Sequence, residues 1–196
     1  MKYYKVLKND GSCANGGSGK WHLPKRGKPG EWMPKIEGKL ELCANGYHIC
    51  QPQDLIHWLD EAIFEVEFDG EIVEDDDKCV VRKARLVRKV KTWNEKTARL
   101  FAADCAEHVL HIYEKQYPDD YKPRKAIQAA SDFANGLISK KELAAAWSAA
   151  WSAARSAAWS AAWSAARNAA RSAERKWQTN KLMEYLEEYD EWIEGE

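Results

Sequence analysis

Cys43, His48 and Cys50 are the first residues in this chain whose types could act together, because thiolates and imidazoles are the ligands that zinc takes. Their spacing, C-x4-H-x-C, lacks the tight cysteine pair of a zinc half-site, and a second half could come only from Cys13 or His22. The pattern reads better as small apolar groups on a strand, so no metal site is predicted. Asp104, His108 and His111 have the i, i+3 and i, i+4 spacing that brings side chains together on a helix. The polar edge of an amphipathic helix has the same spacing, and that is the reading taken. No G-x-S-x-G, P-loop, G-x-G-x-x-G, H-E-x-x-H or zinc-deaminase pattern occurs. The sequence therefore assigns no catalytic residue and no cofactor.

What remains is recognition chemistry. Lys78 to Arg99 carries nine basic residues against the single acid Glu95, whereas Glu184 to Glu196 is acidic without one Lys or Arg. The asymmetry predicts either docking between the two segments or an anionic partner for the basic one. Arg82, Arg85 and Arg88 are the candidate anion-binding residues, joined by His48 and by Trp21 and Trp32 of the loop KWHLPKRGKPGEWMP. Such a loop is either a lid on a site or a plug covering a sheet, and the plug is the preferred reading. With a net charge of −1, the whole protein is neither a polybasic nucleic-acid binder nor an acidic mimic.

Four of the ten Trp fall in one stretch, where WSAAWSAARSAA is followed by WSAAWSAARNAA over residues 147 to 170. Ala is the best helix former, and nothing here breaks a helix. Trp147, Trp151, Arg155, Trp159, Trp163 and Arg167 stand four residues apart. At about 100° per residue each step advances roughly 40°, so the large side chains spiral and the face shifts by roughly 120° over one unit. A single antiparallel helix cannot cover both Trp pairs, and leaving them wet invites aggregation. These six residues are therefore the predicted interface, for self-association or for a groove on another protein.

The elements follow from periodicity and turn chemistry. Strands are predicted over Lys2–Lys8, Tyr47–Cys50, Ile63–Phe68 and Lys78–Val90, with a hairpin turn at Asp69-Gly70 and a short helix over Gln51–Leu59. A capping box at Thr92–Glu95 opens a helix to about Tyr117, with Trp93, Leu100, Phe101, Cys105, Val109 and Ile112 as its apolar face. Another helix runs from about Arg124 to Ile138. A second box, Ser139–Glu142, opens a final helix of about 50 residues, about 75 Å if straight. The fold class is α+β: a small, mostly antiparallel sheet with a packed long helix over residues 1–120, then a helical oligomerisation or interaction region over 121–196. No leader and no apolar run of membrane-spanning length occur, and five Cys are an odd number. Reduced thiols, a cytoplasmic protein and no membrane partner are expected.

Two resemblances add to this reading. Asn45-Gly46-Tyr47-His48, followed by a helix with Trp58 and the strand Ile63–Phe68, resembles ADP-ribosyltransferase-like folds. It implies nucleotide binding, although Tyr3, Tyr4 and Lys5 depart from the first-strand pattern of the active enzymes. KYYKVL, CANGYHIC, WLDEAIFEVEFDGEI, DKCVVRKARLVRKV and TWNEKTARLFAADCAEHVL resemble an uncharacterised phage and prophage family over about residues 1–112. That resemblance implies a phage or prophage source, and with the Trp helix it leads to the expected function: a phage-type, non-enzymatic interaction protein, acting on a host defence system by occlusion or ligand sequestration and self-associating through that helix. Two alternatives stay open: a transferase-like, nucleotide-binding enzyme using Glu65 or Glu67 as polariser, and a nucleic-acid-binding protein using residues 78–99.

Overall fold

A computed structural model describes residues 1–146, 148 and 167–187. The fold class is α+β, with antiparallel strands followed by helices. Contacts divide the chain into two units, Met1–Asn94 with the segment from Leu182 onward, and Glu95–Lys181. Trp147, Trp151, Arg155, Trp159 and Trp163 lie outside the described residues, as does the acidic tail beyond Glu187. Among the described residues no helix is long and apolar enough to cross a membrane.

The first unit is a sheet of order β1-β3-β4-β2, every pair antiparallel. Its strands are β1 (Tyr3–Leu7), β2 (Tyr47–Ile49), β3 (Ala62–Glu74) and β4 (Cys79–Lys89), with a 3-10 turn at Pro52–His57. The hairpin expected at Asp69-Gly70 does not turn there. β3 continues through it, and the register slips between Asp69 and Ile72. Gly70, at φ +90, absorbs the extra residue of that bulge, and the chain reverses at Asp75–Lys78 instead.

The sheet manages its edges. Tyr4 and Cys50 exchange backbone hydrogen bonds of 2.8 and 2.9 Å, which ties β1 to the residue just after β2 and curls the sheet on itself. Beyond β2, the free edge of β4 is taken by the Trp-bearing loop. Gly30, Met33 and Ile36 donate their N–H groups to the carbonyls of Leu86, Ala84 and Arg82 at 2.8, 2.9 and 2.9 Å. The loop thus lies along β4 as an irregular fifth strand and sends Trp21 and Met33 into the core. There they pack with Leu7, Ile49, Phe64, Val66, Val81 and Leu86.

The second unit contains α1 (Glu95–Gln116), α2 (Lys122–Ala134), a helix from residue 140 described to 146, and part of α3 (Arg167–Glu187). Within this unit the long helix α1 packs with α2. Trp93, expected on its apolar face, belongs to the first unit, where it is buried and donates its indole N–H to the Asp60 carbonyl at 2.8 Å. Arg124 of α2 grips Glu114 of α1 with two bonds of 2.7 and 2.8 Å, and Arg99 lies over the Phe133 ring. α2 ends four residues earlier than expected. Gly136 and Leu137 donate to the Phe133 and Asp132 carbonyls at 3.0 and 2.8 Å, a Schellman closure that stops the helix. The box at Ser139 forms as expected, the Ser139 and Glu142 side chains satisfying each other's backbone N–H groups.

Candidate functional site

The three arginines named as an anion-binding row are each held by a carboxylate of the neighbouring strand. Arg88 forms two bonds of 2.7 Å to Glu65, Arg85 pairs with Glu67, and Arg82 reaches Glu71 at 2.8 Å. Lys83 stands opposite Asp69. The cause is register. Glu65, Glu67 and Asp69 share one face of β3 by the period of two. Arg85 and Arg88, three apart, share a face only because the ladder steps from Glu65–Arg88 to Val66–Leu86 and leaves Val87 as a bulge. Arg82, Lys83, Arg85 and Arg88 are thus matched by acids of β3, row against row. Arg82 is further spent on the Ile36 and Gly38 carbonyls at 2.9 and 2.7 Å. Trp32 sits with the same row, under Lys83 and Arg85 at 4.8 and 4.7 Å from its ring centroid. Glu65 and Glu67, the polarisers of the transferase reading, are these same paired carboxylates.

Trp21 and His48 are brought together elsewhere, in a cavity of about 550 Å³ within the first unit. Lys5 and Tyr4 of β1 line it, with Tyr47 and His48 of β2, Cys50, Trp58, Lys78 and the glycine-rich loop from Cys13 to Gly19. The Lys5 ammonium donates to the His48 carbonyl at 2.8 Å and lies 5.5 Å from the centroid of Trp21. Burial pushes the Lys5 ammonium below the usual lysine range. His48 Nε2 accepts the backbone N–H of Cys43 at 2.8 Å, so a neutral His48 carries its proton on Nδ1. Burial, then the charges of Lys5 and Lys78, hold the His48 imidazole below its ordinary value and favour that neutral form. Burial raises the Cys50 thiol to about 12, so it remains an inert thiol. Among the described residues no group of three His, Cys, Asp or Glu is placed to hold a metal ion.

Sequence reasoning assigned no site role to Lys5 or to the glycine loop. One signal was present: Lys5 shares a face of β1 with Tyr3 and Leu7, so a core-facing strand position carries a charge. The loop's part depends on its fold. Asp10 accepts the Ser12 N–H and hydroxyl at 2.9 and 2.6 Å, Cys13 N–H reaches the Gly19 carbonyl at 3.2 Å, and Asn15 donates to the Trp58 carbonyl at 3.0 Å.

The second unit brings polar and aromatic side chains of α1 and α3 together. His108 stacks on Trp177 of α3 at 3.7 Å between ring centroids and 7° between planes, and its Nδ1 lies 2.7 Å from Glu174 Oε2. Asp104 pairs with Lys181 at 3.6 Å. The polar edge of α1 is therefore where α3 docks within this unit. The apolar face is displaced accordingly: Phe101 and Leu110 are buried, whereas Val109 and Ile112, expected inside, are 36% and 64% exposed. Tyr121 and Leu137 are also exposed.

Comparison with known families divides the chain near the same place. Residues 1–98 match the domain of unknown function DUF7666, and residues 88–175 match the Imm-5 like immunity protein family. The second match includes the whole Trp/Arg repeat and nearly all of the helical unit. No curated protein and no solved structure matches the chain. The resemblance to ADP-ribosyltransferase-like folds gains no support from these comparisons.

Proposed function

We propose, for a chain that belongs through residues 1–98 to the DUF7666 family, that it is a non-enzymatic immunity-type protein which neutralises a harmful effector protein by binding and occluding it. The observation that carries this reading is the coincidence of the Imm-5 like match, residues 88–175, with a separate helical unit, Glu95–Lys181. Sequence likeness and compactness pick out the same segment. That unit exposes Val109 and Ile112 one turn apart on α1, a small apolar strip of the kind a protein partner covers. The repeat, within the same match, adds Trp147, Trp151, Arg155, Trp159, Trp163 and Arg167 as a second grip, on the effector or on another copy of the chain. Trp and Arg are the side chains that dominate binding energy at interfaces. In a phage-encoded chain, the effector so occluded belongs to a host defence system.

Growth rescue tests this. The chain is co-expressed with each gene encoded beside its own, under separate promoters. Rescue from one toxic neighbour, with a stable complex on size exclusion that Ile112→Lys or loss of residues 147–170 disrupts, is the expected result. Rescue by catalytic amounts of the chain, with no complex formed, would show an enzyme instead.

A further inference from the structure

The cavity beneath the glycine-rich loop holds a charge that no carboxylate among the described residues pairs with. Lys5 reaches a carbonyl and an aromatic face, and among the described residues no Asp or Glu lines the cavity. The other cation there, Lys78, is shared with Asp77 at 3.4 Å and Asp75 at 3.9 Å and lies over the Trp58 ring. An ammonium withdrawn from water without a carboxylate is costly, and an anion brought in from outside would offset that cost. Among the described residues the N–H groups of Gly16, Gly17 and Ser18 donate to no protein group, and these residues rim the same space. Tyr4, Trp21, Tyr47, His48 and Trp58 give the walls an aromatic character. At about 550 Å³ the space far exceeds a bare oxyanion. Such pockets take ligands that bury an apolar body and fix it by a few polar groups.

We propose that this cavity binds a small organic anion built on a flat ring, its phosphate or carboxylate on Lys5 and the loop amides, its ring against Tyr47 and Trp58. The site goes beyond the immunity reading, belongs to the other unit, and stands or falls without it. Calorimetry on the full chain uses AMP, indole-3-acetate, adenosine and inorganic phosphate as probes. AMP or indole-3-acetate binding at least tenfold tighter than adenosine and phosphate supports the proposal, and the better of the two identifies the anionic group. Phosphate matching AMP, adenosine matching AMP, or no heat from any probe at millimolar concentration overturns it. Lys5→Met, checked for folding by its melt, should weaken the better probe at least tenfold; unchanged affinity overturns the role of Lys5. Should that variant not fold, reductive methylation of the wild-type protein decides. The bound probe slows modification of Lys5 but not of exposed Lys20, and equal rates with and without it overturn the proposal.

Discussion

Gly46→Ala tests whether the strand that walls the cavity is fixed by packing or by backbone alone. Gly46 stands at φ +136, immediately before Tyr47 and His48. A Cβ there would lie 2.2 Å from Val80 Cγ2, 3.1 Å from Leu40 Cδ2 and 3.3 Å from the Val81 carbonyl oxygen. Val80 is fully buried and Leu40 nearly so, which leaves neither side chain room to retreat. Gly70 supplies the control, because it too has positive φ, at +90, but a Cβ there meets nothing within 4 Å. Both substitutions carry a backbone cost of about 1–3 kcal/mol. Only Gly46→Ala adds over-packing, a further cost of about 1–3 kcal/mol. In a unit of about 100 residues each kcal/mol moves the melting midpoint by about 4–8 °C. Thermal unfolding followed by near-UV circular dichroism should therefore place Gly46→Ala about 10 °C below Gly70→Ala. Coincident midpoints would refute the reasoning, since Val80 and Leu40 would then have yielded to the methyl group.

Other perturbations read other links. Ser139→Ala removes one half of the capping box and should cost about 1 kcal/mol, seen as faster hydrogen exchange at residues 140–143. Asp10 is held down to about 2 by the Ser12 hydroxyl and N–H, below the unfolded value of about 3.9. Its contribution to stability is therefore complete above about pH 4 and is lost as pH falls through about 2. In urea titrations across that range the gap between wild type and Asp10→Asn should close; a gap that persists at pH 2 contradicts the assignment. Iodoacetamide at pH 8 should alkylate exposed Cys43 in the native protein and spare buried Cys50, whose thiol is raised to about 12; mass spectrometry of the digest gives the order.

Much of the frame was legible because its signals are local. Alternation in KYYKVL and IFEVEF gives strands, and Ser139 and Glu142 announce a helix start that forms as written. The loop with Trp21 and Trp32 reads as a plug because Pro and Gly forbid a regular strand while two indoles demand burial, and it does cover the edge of β4. What escaped depends on partners distant in sequence. Asp69-Gly70 has the chemistry of a hairpin turn, and the same chemistry serves a bulge; only the long pairing with β4 chooses between them. Val109 and Ile112 fit a helical stripe, yet the buried face of α1 is chosen by α2 and α3 rather than by its own periodicity.

Charge shows the same division with more consequence for function. Nine basic residues between Lys78 and Arg99 look like a binding surface when read alone. Four of them, Arg82, Lys83, Arg85 and Arg88, lose that meaning once Glu71, Asp69, Glu67 and Glu65 are set against them, because opposite charges on neighbouring strands satisfy each other. A row of charge on one strand is matched by a row on its neighbour through nothing more than register. A single charge on an inward position has no such neighbour. Lys5 stands among Tyr3, Tyr4 and Val6 with a face of core residues behind it, and the neighbouring strand β3 sets Phe64 opposite it while Glu65 falls opposite Tyr4. The cation left over for a ligand is thus the one least conspicuous in composition, and it is found by asking which face of β1 it must share with Leu7.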